Sequence, residues 1–105
     1  MDEKLMEIAF GIIGYAGEAK FTAKEALRIA REGKFEEAKE KLNEAKETLN
    51  NAHKYQTELI TKEANGENTQ MSVVLVHSQD HLMTTMSYLD VAEELIAMYE
   101  LVLNK

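Results

Sequence analysis

The chain contains no cysteine, no proline and no tryptophan, and only five of its 105 residues are glycine. The absence of cysteine excludes disulfides, thiolate zinc sites and a cysteine nucleophile, so histidine, carboxylate and hydroxyl chemistry remain. The scarcity of helix-breaking residues favours long helices. No apolar run approaches the roughly 20 residues that a membrane-spanning helix needs.

Basic residues are outnumbered, because 12 lysines and arginines face 19 aspartates and glutamates, giving a formal net charge of -7. A nucleic-acid-binding surface needs clustered positive charge, so no nucleic-acid partner is expected. The opening residues MDEKLMEIAF lack the basic and apolar regions of a secretory signal. Length and a hydrophobic content of 45% predict a single cytoplasmic domain spanning residues 1–105.

Apolar residues recur every three or four positions over three long stretches, which is the spacing of amphipathic helices. The pattern predicts an all-α fold, an antiparallel bundle of three helices. The approximate bounds of these helices are 3–32, 35–64 and 70–104. Gly33 and the segment NGENT at 65–69 supply the two turns. Residues 72–76, SVVLV, have the β-branched composition of a strand, but a lone strand would have no partner, so a helix is predicted there too.

The third predicted helix has more apolar surface than two neighbouring helices can cover. Large aliphatic residues recur every seven positions, and further apolar rows lie beside them. The members of these rows are Leu75, Leu82, Leu89, Ile96, Leu103, Val74, Tyr88, Leu95, Val102, Val91 and Met98. A helix of a monomeric bundle needs one apolar stripe, so this helix is expected to pack against copies of itself.

A polar cluster interrupts this surface in VLVHSQDHLMTT, residues 74–85. The helical spacing aligns one polar stripe, made of His77, Asp80, Thr84 and Ser87. If the stripe faces a symmetry axis, the Asp80 carboxylates of several copies must take up protons or share a cation. A hard, oxygen-ligated ion such as Mg²⁺ suits carboxylate ligands. A solvated or lysine-paired Asp80 is the alternative.

His77 and His81 are one helical turn apart in this cluster. A histidine nitrogen can act as a nucleophile or a base, and histidines at i and i+4 can also bind zinc when a third ligand arrives from elsewhere. In an antiparallel bundle, the end of helix two lies beside the start of helix three, so a convergence of polar residues is predicted. Its members are His53, Gln56, His77, Gln79, Asp80 and His81.

The stretch LVHSQDHLMTT resembles the His-x-Gln-Asp-His-Leu-Met-Thr signature of lactose/cellobiose-type IIA components of the bacterial phosphoenolpyruvate-dependent sugar phosphotransferase system. The likeness continues through AGEAK, REGKFEEAKEKL and AHKYQTELITKEANGE, along essentially the whole chain. It implies a homotrimer of three-helix bundles that acts as a phosphocarrier. Such a carrier accepts a phosphoryl group from the protein HPr and passes it to a cysteine of the IIB component. It meets the membrane only through the IIC component.

The resemblance also implies roles for single residues. His77 corresponds to the phosphorylated histidine, and Asp80 to the residue that binds one Mg²⁺ per trimer on the three-fold axis. The expected neighbours of the active site are His81, Gln79, His53 and Gln56. Ser78 stands where many relatives have alanine or glycine, and its hydroxyl could bond to the phosphoryl group.

Two other interpretations of the same residues stay open. The chain could be a non-catalytic helical oligomerisation or regulatory module whose histidines serve packing. It could also be a zinc-dependent enzyme, although no third ligand is evident from the sequence. Within the phosphotransferase interpretation, lactose, cellobiose, chitobiose and other β-glucosides are all candidate sugars.

Overall fold

The computed structural model describes residues 3–104, so Met1, Asp2 and Lys105 lie outside the described part of the chain. Helix α1 spans Glu3–Arg31, α2 spans Phe35–Ala64 and α3 spans Val73–Leu103. The three antiparallel helices form a rod of 56 × 20 × 18 Å. Helix α1 packs against both other helices more extensively than α2 and α3 pack against each other. The predicted three-helix bundle is confirmed.

A glycine closes each of the first two helices. Gly33 and Gly66 have φ angles of 84° and 83°, in the left-handed region that glycine adopts at little cost. After α1, the N–H groups of Gly33 and Lys34 donate to the carbonyls of Ala30 and Ile29 at 2.9 and 3.4 Å. Helix α2 ends in the same pattern at Gly66. These are Schellman motifs, which satisfy the last carbonyls while the chain turns back.

Helix α3 begins at Val73, three residues after the approximate predicted start at 70. Ser72 has an extended backbone, with φ −152° and ψ 163°, and its hydroxyl accepts a hydrogen bond from the N–H of Leu75 at 3.1 Å. Serine is a favoured N-cap because this bond satisfies an otherwise free N–H of the first turn. The β-branched stretch after Ser72 is helical, as predicted.

The core is built from the apolar faces that the periodicity predicted. Many of its side chains on α1 and α2 are alanines, which allow close approach of the helices, and leucine and isoleucine fill the remaining space. The larger members are Leu5, Ile8, Ile12, Ile29, Leu42, Leu49, Leu59, Leu75, Leu82, Leu89 and Ile96. Leu103, the last of the predicted heptad row on α3, is 51% exposed because it lies on the final turn at the end of the bundle.

Two ion pairs join α2 to α3 along their outer edge. They are Lys46 with Glu93, and Lys39 with Glu100 at 3.0 Å. The hydrogen bond to the Glu100 carboxylate raises the pKa of Lys39 above its ordinary value of 10.5. All four side chains are partly solvated, so these pairs orient the helices more than they stabilise the fold.

One face of α3 is left uncovered by the other two helices. Its exposed apolar side chains are Val73, Val76, Met83, Val91, Leu95, Met98, Leu101 and Val102. An exposed apolar surface of this extent is unusual for a monomer, and it matches the surplus predicted from the sequence. Within residues 3–104, no helix is long and apolar enough to span a membrane.

Candidate active site

The first turns of α3 position the predicted catalytic residues. His77 and His81 project from the same face because four residues complete about one helical turn. Their ring centroids are 4.6 Å apart and their planes meet at 75°, which is an edge-to-face contact. His77 is exposed and His81 is half-buried. The arrangement presents one imidazole to solvent with a second potential donor beside it.

Asp80 projects from the uncovered face of α3, one turn after the exposed Val76 and one turn before Thr84. In the described part of the chain its carboxylate forms no ion pair, so the lysine-paired alternative is not observed there. The Thr84 hydroxyl donates to the backbone carbonyl of Asp80 at 2.8 Å and leaves the carboxylate free. Asp80 is therefore available to a ligand from outside the chain.

A metal site does not form inside one chain over residues 3–104, because no three histidine, aspartate or glutamate side chains converge there. The zinc interpretation thus gains no third ligand from the fold of the described residues. An ion held by Asp80 would need carboxylates from further copies of the chain.

Gln56 of α2 and Gln79 of α3 lie close together where these two helices face each other. They line a pocket of about 320 Å³ between the end of α2, the second turn and the start of α3. The Nε2 of Gln79 donates to the hydroxyl of Ser78 at 3.3 Å. The Oε1 of Gln56 is shielded from solvent and has no hydrogen-bond partner. Neither His77 nor His81 lines this pocket.

His53 lines a separate groove of about 380 Å³ between α2 and α3, together with Asn50, Met86 and Asp90. The six residues predicted to converge are therefore divided within one chain. Each residue of a helix is rotated by about 100° from the one before, so Gln79 points about 200° away from His77. One flank of α3 presents His77 and His81, and the other presents Gln79 towards Gln56.

The flank that carries His77 is the one next to α1. Tyr88, three turns further along the same flank, lies under the ammonium group of Lys20 on α1, 5.7 Å from the ring centroid. The histidine pair is thus held between the α1 side of the bundle and the uncovered face of α3. The glutamines are held on the α2 side.

Ser78 does not face the histidines, and the expectation that its hydroxyl could reach a phosphoryl group on His77 was wrong. The residue is fully buried, and its hydroxyl donates to the carbonyl of Leu75 at 2.6 Å. A position three residues after Leu75 and four before Leu82 lies on the core face of the helix. The serine is part of the packing.

The second turn forms a wall of the Gln56 pocket that the sequence does not predict. Glu63, Asn68 and Thr69 complete this wall. They are brought beside Gln56 because the Schellman motif at Gly66 folds the chain back over the end of α2. The segment NGENT at 65–69 predicted the turn itself, but nothing in the sequence placed it beside Gln56.

Comparison with known proteins identifies the family to which the chain belongs. A family model described as the lactose/cellobiose-specific IIA subunit of the phosphotransferase system matches residues 7–100. The lichenan-specific phosphotransferase enzyme IIA component of Bacillus subtilis is 47% identical over 100 residues, which are 95% of this chain and 91% of that protein.

Solved structures agree with this assignment. The crystal structure of the cellobiose-specific enzyme IIA from Bacillus anthracis has a TM-score of 0.95 at 44% identity, over 100% of this chain and 96% of that one. The chitobiose IIA of Escherichia coli, solved in complex with HPr, has a TM-score of 0.82 at 38% identity, over 97% and 98% of the two chains. The chain therefore belongs to the lactose/cellobiose-specific IIA family and is a phosphocarrier component of the sugar phosphotransferase system.

Proposed function

We propose that His77 is the residue that carries the phosphoryl group, accepting it from phospho-HPr and passing it to the cysteine of a IIB component. The observation that carries the proposal is the exposed imidazole of His77 in edge contact with the ring of His81. A solvent-facing imidazole with a potential donor one turn away suits a nucleophile that must meet two protein partners in turn. HPr as the donor is supported by the E. coli relative that was solved in complex with it.

The transfer is an exchange of nitrogen–phosphorus and sulfur–phosphorus bonds. A free ring nitrogen of His77 attacks phosphorus while the bond to the HPr imidazole breaks, and the IIB thiolate later attacks the same phosphorus and releases His77. Phosphoryl transfer of this kind passes through a loose transition state with charge on three oxygens, so catalysis rests on positioning and hydrogen-bond donors. His81 is a potential donor in ring contact with His77.

The protein acts as a homotrimer in this proposal, and the uncovered apolar face of α3 supports it. When copies close into a ring around their α3 helices, each contact joins two different flanks of the helix. The flank with His77 then faces the flank with Gln79 on the next copy. The site residues that one chain separates are reunited across the subunit boundary, where Gln79 of the neighbouring copy becomes a second donor.

A Mg²⁺ ion on the axis of the trimer is also proposed, held by one Asp80 from each copy. The residue fits such an ion because its carboxylate is exposed, projects from the uncovered face and forms no ion pair among residues 3–104. Carboxylate oxygens are the ligands that Mg²⁺ prefers. When bound, the ion neutralises the mutual repulsion of the Asp80 side chains, and His77 performs the transfer without it.

The proposed setting is the cytoplasm, with contact to the membrane only through the IIB and IIC components. The sugar class is a β-linked disaccharide or β-glucoside, in line with the lichenan- and cellobiose-specific relatives. The competing proposal is a non-catalytic oligomerisation or regulatory module. Incubation with labelled phosphoenolpyruvate, enzyme I and HPr separates the two, because only a phosphocarrier acquires label, and His77→Gln must abolish it.

A further inference from the structure

The pocket beside Gln56 has features that phosphoryl transfer at His77 does not explain. Its floor and rim are apolar, formed by Leu59, Leu75, Ile60 and Met71. Ile60 and Met71 are 59% and 66% exposed, so the rim is open to solvent. A pocket of about 320 Å³ that combines these apolar walls with five polar residues, Gln56, Glu63, Asn68, Thr69 and Gln79, lies within the size range of binding sites.

One acceptor of this pocket lacks a donor, and a second acceptor is a solvent-exposed carboxylate without an ion pair among residues 3–104. The Oε1 of Gln56 is shielded from solvent without a hydrogen-bond partner, an uncommon state for a buried carbonyl oxygen. The carboxylate of Glu63 also lines the pocket, and it has no ion pair within residues 3–104. The nearby amide nitrogen of Gln79 already donates to Ser78. A ligand that brings several N–H groups and a positive charge would satisfy both acceptors.

A basic side chain matches this demand. The aliphatic stem of arginine or lysine packs against apolar walls while its charged end stays at a polar rim. Arginine fits better, because its planar fork can donate to a carboxylate and to an amide oxygen at once. The terminal torsion of glutamine is broad, so the Gln56 amide can turn its oxygen towards such a group.

The position of the pocket identifies where the basic side chain comes from. Leu75 and Gln79 line the pocket from the same two turns of α3 that carry His77. The two sides of a helix are about 10–12 Å apart, and a typical protein interface covers roughly 800 Å² on each partner. In the proposed trimer the flank of Gln79 faces the flank of His77 on the next copy, so a protein docked over His77 also reaches the pocket of that copy. We propose that the pocket receives a basic side chain of HPr, an inference that rests on the proposed function.

The test compares two single charge removals. Glu63→Gln removes the pocket carboxylate and keeps its shape, and Glu67→Gln removes an equally exposed carboxylate of the adjacent turn that does not line the pocket. Binding of unphosphorylated HPr to each variant is measured by calorimetric titration. Glu63→Gln should weaken binding about tenfold, as for loss of a hydrogen bond to a charged group, and Glu67→Gln about twofold or less.

The outcomes are distinct. A selective loss in Glu63→Gln that disappears at high salt supports the pocket. Equal affinities, or equal losses in the two variants, would overturn it, since a general electrostatic attraction does not discriminate between them. Phosphoryl labelling of the wild-type protein is measured separately, so a failure of His77 as acceptor is told apart from a failure of the pocket. Glu63→Lys, with its reversed charge, should weaken binding further than Glu63→Gln.

Discussion

The imidazoles of His77 and His81 touch edge to face, with ring centroids 4.6 Å apart, and His77 is exposed while His81 is half-buried. In the proposed mechanism the two rings have different tasks: the exposed ring meets a partner protein, and the half-buried ring holds an oxygen of the transferred group. A hydrogen-bond donor that points at the charge developing during transfer stabilises the transition state far more than the ground state.

His81→Ala is therefore expected to slow phosphoryl transfer from HPr by about 10²-fold without abolishing it. His77 remains free to attack, but one donor to the phosphoryl oxygens is lost. Rapid-quench measurement of the transfer rate gives the result. A rate equal to that of the wild-type protein would show that His81 only packs, and complete loss of label would place the acceptor elsewhere.

Asp80→Leu is expected to keep the trimer assembled while removing its metal. The substitution replaces repelling carboxylates by apolar side chains on a face that is already apolar. Elemental analysis of the purified trimer and light scattering check both parts. The matched control is Asp90→Leu, an exposed aspartate that lines the His53 groove and should leave the metal content unchanged. Metal retained by Asp80→Leu would exclude the axial site.

Ser78→Ala should leave the rate of phosphoryl transfer unchanged, because the hydroxyl donates to the Leu75 carbonyl inside the bundle. The stability of the fold should fall by about 1 kcal/mol or less, the usual worth of one such hydrogen bond. Transfer kinetics and urea unfolding are the two measurements. A tenfold slower transfer in a stably folded variant would restore the serine to the active site.

Gly11→Ala is expected to destabilise the bundle, because a Cβ atom there would lie 2.7 Å from the Tyr55 ring. That ring is already stacked on Tyr15, with centroids 6.1 Å apart, so it has little freedom to move away. Overpacking costs about 1–3 kcal/mol and outweighs the gain of about 1 kcal/mol in helix propensity.

Gly14→Ala is the control for Gly11→Ala, since a Cβ atom at position 14 meets nothing within 4 Å in the chain. It should unfold at an equal or higher urea concentration than the wild-type protein. If the two alanine variants are equally stable, the close packing of Tyr55 on Gly11 does not constrain the fold.

The helices and the core could be predicted because a 3.6-residue period over long stretches leaves few alternatives. The exact first residue of α3 could not, since it depends on a hydrogen bond that the Ser72 hydroxyl accepts from the N–H of Leu75. The burial of Ser78 was within reach of the sequence, because its spacing from Leu75 and Leu82 places it in the core row. The family signature contains residues that are neighbours along the chain, but it does not give the direction in which each side chain points.

The grouping of the site residues could be predicted from the sequence only in part. That Gln79 points away from His77 follows from a count of two residues along a helix. That Gln56 lies beside Gln79, and His53 in another groove, follows only from how α2 packs on α3. In the proposed trimer the residues meet again across two copies of the chain, an arrangement that no property of a single chain displays.

The most direct test of the account is incubation with labelled phosphoenolpyruvate, enzyme I and HPr, followed by mapping of the acid-labile label to a residue. We predict label on His77 in the wild-type protein and none in His77→Gln, whose helical content and assembly should be unchanged. Label on another residue, or label retained by folded His77→Gln, would contradict the account. An unlabelled wild-type trimer with a working HPr would favour the non-catalytic module instead.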